Sequence, residues 1–101
     1  MEHSHKFNQN HEIYELLYRC VLSLETQEDC ARFFEDLCSV SELQAMLQRL
    51  QVAQQLRQGN TYQEIVNSIG ASTVTISRVN RCLQYGAGGY ALTLDRVEDK
   101  D

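Results

Sequence analysis

The stretch TYQEIVNSIGASTVTISRVNRCLQY, residues 61–85, contains two apolar patterns of helical spacing on either side of Gly70. Thr61 and Glu64 have the spacing of a capping box, which begins a helix. Ser72 is a suitable N-cap for a second helix just after the glycine. Because glycine adopts a positive φ without steric cost, Gly70 allows a sharp turn between the two helices. The stretch therefore predicts a helix-turn-helix.

The second helix of this stretch, predicted from Thr73 to Tyr85, has two dissimilar faces. At about 100° per residue, Ile76, Val79 and Leu83 fall on one narrow face, which we expect to be buried. The opposite face carries Val74, Ser77, Arg78, Arg81 and Tyr85. Small side chains let a helix backbone approach base edges, and a valine methyl can contact the methyl group of thymine. Because the start of the second helix enters the major groove in such proteins, we expect this face to bind DNA.

Three further amphipathic helices are predicted before this stretch. They cover residues 12–24, a segment that follows the N-cap Thr26, and residues 42–57. Ser41 and Gln44 have the spacing of a capping box for the third of them. The apolar positions are Ile13, Leu16, Leu17, Cys20, Val21, Leu24, Cys30, Phe33, Phe34, Leu37, Cys38, Leu43, Met46, Leu47, Leu50, Ala53 and Leu56. These stripes fit an internal core and the interface with a partner subunit equally well.

The chain contains no proline, and its glycines are concentrated near residues 86–89, which favours long helices. We therefore predict an all-α fold, a small multi-helix domain with a C-terminal helix-turn-helix. We expect a mobile arm at residues 1–10, a single helical domain at residues 11–94 and a charged, solvated tail at residues 95–101. Near the end of the domain, Tyr90, Leu92 and Leu94 are predicted to dock a last short turn of helix.

The net charge of −5 argues against a nucleic-acid partner, but the charges are unevenly distributed. Residues 1–56 carry four basic and nine acidic side chains, whereas residues 57–85 carry three arginines and one glutamate. The positive stretch is thus the one that contains the helix-turn-helix. Few positive charges imply few phosphate contacts, so we expect a shallow salt dependence of DNA binding.

Several other classes of site are disfavoured by the sequence. Cys20, Cys30, Cys38 and Cys82 form no C-x-x-C pair, so we predict no metal site and interpret the cysteines as small buried apolar residues in a reducing compartment. No catalytic motif is present, so we do not expect an enzyme. No apolar run approaches the roughly 20 residues of a membrane span, and the polar N-terminus does not resemble a signal peptide. We expect a cytoplasmic protein without a membrane partner.

The residues from Thr61 to Ile65 and from Ile69 to Leu83 resemble the Trp repressor superfamily, and they look most similar to its Trp repressor-like YerC/YecD branch. The resemblance runs from about Ser41 to Tyr90. It implies an intertwined, all-helical homodimer whose two recognition helices contact a palindromic operator in double-stranded DNA. It also implies a role in transcription regulation, as a repressor. The DNA-facing residues it implies are Gln63, Ser72, Thr73, Val74, Thr75, Ser77 and Arg78, to which the helix pattern adds Arg81.

The co-repressor site of the tryptophan-binding relatives matches this chain less well. Those relatives hold the ligand between two arginines and a serine. The second arginine corresponds to Arg78, but the first corresponds to Gln48, with Arg49 beside it, and the serine corresponds to Cys82. A carboxylate ligand therefore loses one bidentate partner. We predict no cofactor and no tight binding of tryptophan, while a different small-molecule co-repressor stays open.

An alternative function also fits the sequence. The acidic balance and the small number of basic residues suit a helical protein-interaction module that retains the fold without binding DNA. This alternative predicts no retention of duplex DNA even at low salt.

Overall fold

The computed structural model describes residues 12–98. Six α-helices lie in this range, α1 (Glu15–Leu22), α2 (Gln27–Leu37), α3 (Val40–Arg57), α4 (Tyr62–Ile69), α5 (Thr73–Tyr85) and α6 (Gly89–Glu98), and it contains no strand. The all-α prediction is confirmed. The predicted arm at residues 1–10 lies outside the described residues.

The chain forms two compact units, Met1–Leu43 and Gln44–Asp101. Helix α3 begins in the first unit and continues through the boundary into the second. The first unit also contains α1 and α2, and the second contains α4, α5 and α6.

The first unit has helices with apolar stripes but no buried core of its own. None of its described residues, 12–43, is buried. Leu16 and Leu22 of α1 are 73% and 83% exposed. Thr26 caps α2 as predicted, because its Oγ1 accepts a hydrogen bond of 3.0 Å from the backbone N–H of Asp29. Cys20, Cys30 and Cys38 are half-buried, so the prediction of buried cysteines is wrong for this chain taken alone.

The start of α3 corrects the predicted capping box at Ser41 and Gln44. The backbone N–H of Ser39 donates to Glu42 Oε1 at 2.8 Å, and the backbone N–H of Glu42 donates to Ser39 Oγ at 3.1 Å. A charged carboxylate accepts a stronger hydrogen bond than the neutral amide of Gln44 does. The helix therefore begins at Val40, two residues earlier than predicted.

The capping box lowers the pKa of Glu42 below its ordinary value, first through the backbone N–H of Ser39 and then through the Ser39 hydroxyl. A lowered pKa means that the stabilisation is complete above the ordinary value and is lost as the pH falls through the lowered one. We expect Ser39→Ala to raise this pKa only part of the way, because the backbone donor remains. An NMR titration of the Glu42 carboxyl carbon measures the change. A wild-type pKa equal to that of a glutamate in an unfolded peptide would contradict the assignment.

The second unit has a continuous hydrophobic core. Its buried residues come from α3, α4, the turn after α4, α5 and α6, and they are Val52, Ala53, Ile65, Ala71, Ile76, Val79 and Leu94. Val52 lies outside the predicted stripe of α3, whereas Ala53 and Leu56 of that stripe are buried or pack against the core as predicted. Gly59 ends α3 with φ +90°, and the N–H of Asn60 donates to the carbonyl of Gln55 at 3.1 Å, which confirms the predicted glycine C-cap.

Helix α6 is longer than the short last turn that the sequence suggests. Leu94 is buried and Tyr90 packs against the core as predicted, whereas Leu92 is exposed. The predicted tail at residues 95–101 begins within this helix. Asp95 accepts a hydrogen bond from Arg57 of α3, and Glu98 Oε1 lies 3.8 Å from Arg57 Nη1. These ion pairs hold the charged end of the helix against α3.

Within residues 12–98, no helix combines the length and the apolar character that a membrane crossing requires.

Candidate nucleic-acid interface

Helix α4 begins with the predicted capping box. The backbone N–H of Glu64 donates to Thr61 Oγ1 at 3.1 Å, and the backbone N–H of Thr61 donates to Glu64 Oε1 at 2.7 Å. Helical spacing predicts Tyr62, Ile65, Val66 and Ile69 as the buried face of α4. Ile65 is fully buried and Val66 and Ile69 pack against the core, whereas Tyr62 is exposed, so the prediction is wrong for that residue.

Gly70 makes the turn between α4 and α5. It adopts the left-handed conformation, with φ 84° and ψ 14°, and its N–H donates to the carbonyl of Val66 at 2.9 Å. The next residue, Ala71, is buried in the core. The turn glycine predicted from the sequence is confirmed, and it directs the chain from α4 into the start of α5.

Substitution of Gly70 is expected to act through the backbone, because a Cβ at this position would meet no atom within 4 Å. We expect Gly70→Ala to lower the free energy of unfolding by about 1–2 kcal/mol, the cost of the left-handed conformation for an L-residue. Gly70→Asn should cost less, because asparagine enters this conformation more readily. Urea denaturation of both variants measures the difference. Equal stability of the alanine variant and the wild type would contradict it.

Helix α5 has one face in the core and one face in solvent. Ser72 caps it, because its Oγ accepts a hydrogen bond of 3.1 Å from the backbone N–H of Thr75. Ile76 and Val79 are buried, as predicted. On the other side Val74 is 66% exposed.

The structure leaves most of the predicted DNA-facing residues accessible. Those exposed are Gln63, Ser72, Thr73, Val74, Ser77, Arg78 and Arg81. Thr75 differs, because it is half-buried and its Oγ1 accepts a hydrogen bond of 3.2 Å from Ser72 Oγ. Its hydroxyl therefore belongs to the helix cap as well as to the predicted surface. We call the seven exposed residues the α4–α5 surface.

Fewer unpaired positive side chains are present in this region than the sequence suggests. Arg57 pairs with Asp95 and Glu98 of α6. Arg78 and Arg81, by contrast, have no carboxylate partner among residues 12–98. Arg78 and Arg81 therefore remain available to a phosphate group.

Three polar contacts around α4 were not predicted from the sequence. Gln55 Oε1 of α3 accepts a hydrogen bond of 3.0 Å from Ser68 Oγ of α4. The Asn80 amide of α5 donates to the Tyr62 hydroxyl at 3.3 Å. Within α4, Gln63 Nε2 donates to Asn67 Oδ1 at 3.0 Å.

Only the last of these contacts has a signal in the sequence, the four-residue spacing that places Gln63 and Asn67 on one helix face. The other two contacts join residues that are 13 and 18 positions apart, so they depend on the tertiary fold.

The candidate effector residues lie on two helices of the second unit. Gln48 and Arg49 belong to α3, where Gln48 is half-buried and Arg49 is exposed. Arg78 and Cys82 are both exposed and lie about one turn apart on α5. Within residues 12–98, no hydrogen bond or ion pair joins any two of these four side chains. The exposed position of Cys82 contradicts its predicted burial.

Comparison with known proteins agrees with this architecture. The family model described as Trp repressor protein matches residues 12–98. The uncharacterized protein YerC of Bacillus subtilis strain 168 is 53% identical over 85 residues, which are 84% of this chain and 82% of YerC.

Two crystal structures are similar along most of their length. One is of a Staphylococcus aureus protein assigned as a Trp repressor, with 45% identity, a TM-score of 0.89 and coverage of 94% of this chain and 96% of that one. The other is of a TrpR-like protein from Eubacterium eligens ATCC 27750, with 42% identity, a TM-score of 0.82 and coverage of 86% and 90%. Since the family model spans all of the described helices, the chain belongs to the Trp repressor protein family.

Proposed function

We propose that the protein is a homodimeric transcriptional regulator that binds a palindromic DNA operator and acts as a repressor. The observation that carries this proposal is the α4–α5 surface. The inner face of α5 is fixed in the core through Ile76 and Val79, while Val74, Arg78 and Arg81 are exposed on its outer side. A rigid helix that presents short side chains at its start and cations farther along suits docking into a major groove. Membership of the Trp repressor family supports the same role.

The exposed apolar stripes support the dimer. Ile13, Leu16 and Leu22 lie in a unit in which no described residue is buried, and Leu47 of α3 is also exposed. Soluble chains rarely leave so many large apolar side chains exposed without a partner. A dimer formed by a second copy of the chain would carry two α5 helices, and a palindromic site with half-sites about one DNA turn apart requires two recognition helices.

Light scattering coupled to size-exclusion chromatography, followed by selection from random duplexes at low salt, tests this proposal. We expect a dimer that enriches a palindromic sequence. A monomer, or a dimer that enriches a site without two-fold symmetry, would contradict the proposal.

A protein-interaction module is the second candidate. The ion pairs of Arg57 with α6 favour it, because they leave only Arg78 and Arg81 as unpaired cations at the α4–α5 surface. In the same experiment it predicts a dimer that retains no duplex at low salt.

Tryptophan is not expected to be the co-repressor. The resemblance to the tryptophan-binding relatives aligns Gln48 with one of their two arginines, so only Arg78 of that pair is expected to supply a bidentate contact. We expect isothermal titration calorimetry to show no binding of tryptophan at micromolar concentrations and no effect on duplex affinity. A micromolar dissociation constant that Arg49→Ala abolishes would show instead that Arg49 replaces the missing arginine.

A further inference from the structure

We propose that the base pairs contacted by Val74 and Gln63 are A·T pairs, with Val74 recognising a thymine methyl group and Gln63 recognising an adjacent adenine. This inference rests on the proposed function and specifies the DNA that the α4–α5 surface would accept. It concerns these two positions of each half-site and leaves the remainder of the operator open.

Val74 is the first element of the inference. It is the second residue of α5, and its side chain is 66% exposed although it is purely apolar. Its two methyl groups cannot form a hydrogen bond with any base edge. The one apolar group that a base presents in the major groove is the C5-methyl of thymine, so a buried contact at this position favours thymine.

The absence of a cation at the start of α5 is the second element. Guanine is usually recognised by arginine or lysine through its O6 and N7 atoms. Residues 72–77 contain no charged side chain. Arg78 follows Val74 by one helical turn, about 6 Å farther along the axis, where it suits a phosphate at the edge of the groove.

The amide pair of α4 is the third element. Gln63 Nε2 donates one of its two hydrogens to Asn67 Oδ1 at 3.0 Å. The second hydrogen and Oε1 of Gln63 remain available, and they form the donor and acceptor set that matches N7 and N6 of adenine. The bond to Asn67 favours one orientation of the exposed amide before DNA is bound, which reduces the entropy lost on contact.

Base analogues test the two contacts separately on the selected duplex. Replacing each thymine in turn by deoxyuridine removes only the C5-methyl group, and fluorescence anisotropy gives the dissociation constant. At one thymine per half-site, we expect deoxyuridine to weaken wild-type binding about fourfold. This factor corresponds to the free energy of burying one methyl group. In Val74→Ala the same change should have no effect. Val97→Ala is the matched control, since Val97 is an exposed valine of α6.

The adenine contact is tested with 7-deaza-2′-deoxyadenosine, which lacks the N7 acceptor. We expect binding of the wild type to weaken about tenfold at one adenine per half-site, and binding of Gln63→Ala to be indifferent to the analogue. Selected sites with G·C pairs at these positions, or analogue effects that persist in both variants, would overturn the inference while the proposed function stands. Failure to bind any duplex would overturn both.

Discussion

Removing the two unpaired arginines, in the double variant Arg78→Ala and Arg81→Ala, is expected to weaken operator binding by about three orders of magnitude at 0.1 M salt. Each arginine that neutralises a phosphate releases a counterion, and a dimer would lose four such contacts. The slope of log affinity against log salt should therefore fall in magnitude by about 3.6. Affinities measured by fluorescence anisotropy from low to moderate salt give both values.

Arg96→Ala is the matched control, because Arg96 is an exposed arginine of α6 outside the α4–α5 surface. Arg96→Ala should leave the slope of log affinity against log salt within about one unit of the wild-type slope. If the double variant kept the wild-type slope, Arg78 and Arg81 would not contact phosphates. An equal loss in the control would show that the effect comes from net charge and not from position.

Ile76→Ala is expected to produce the largest loss of stability. Ile76 is fully buried in the core of the second unit, and its replacement leaves a cavity there. Substitutions of this kind cost about 2–5 kcal/mol, a large fraction of the stability of a small domain. Urea denaturation at fixed protein concentration measures the change, because the stability of a dimer depends on concentration.

Val74→Ala is the comparison for this variant. Val74 is on the same helix, two residues away, but its side chain is mostly in solvent. Val74→Ala should change the free energy of unfolding by no more than about 0.5 kcal/mol. Similar losses in the two variants would contradict the assignment of a buried and a solvent-facing side to α5.

The helix-turn-helix could be predicted from the sequence because its determinants are local. The capping box at Thr61, the turn at Gly70 and the N-cap at Ser72 each act over three or four residues, and the structure contains all three. The two faces of α5 follow from helical periodicity, which also depends only on nearby residues.

The features that could not be predicted depend on competition between nearby residues for the same structural role, or on the tertiary fold. The cap of α3 is Ser39 and not the predicted Ser41, because the acidic partner Glu42 favours the earlier position. The burial of Val52 depends on which residues of α3 join the core of the second unit. The ion pair of Arg57 with Asp95 joins residues 38 positions apart, so no local pattern indicates that residues 95–98 continue α6.

The most direct test of DNA binding through α4 and α5 is an NMR titration of the isotope-labelled protein with the selected duplex. We expect the largest changes in backbone amide shifts at Gln63 and at residues 72–81, and small changes in α6. The largest changes in α1, α2 or α6, or no change with saturating duplex at low salt, would contradict the proposed interface.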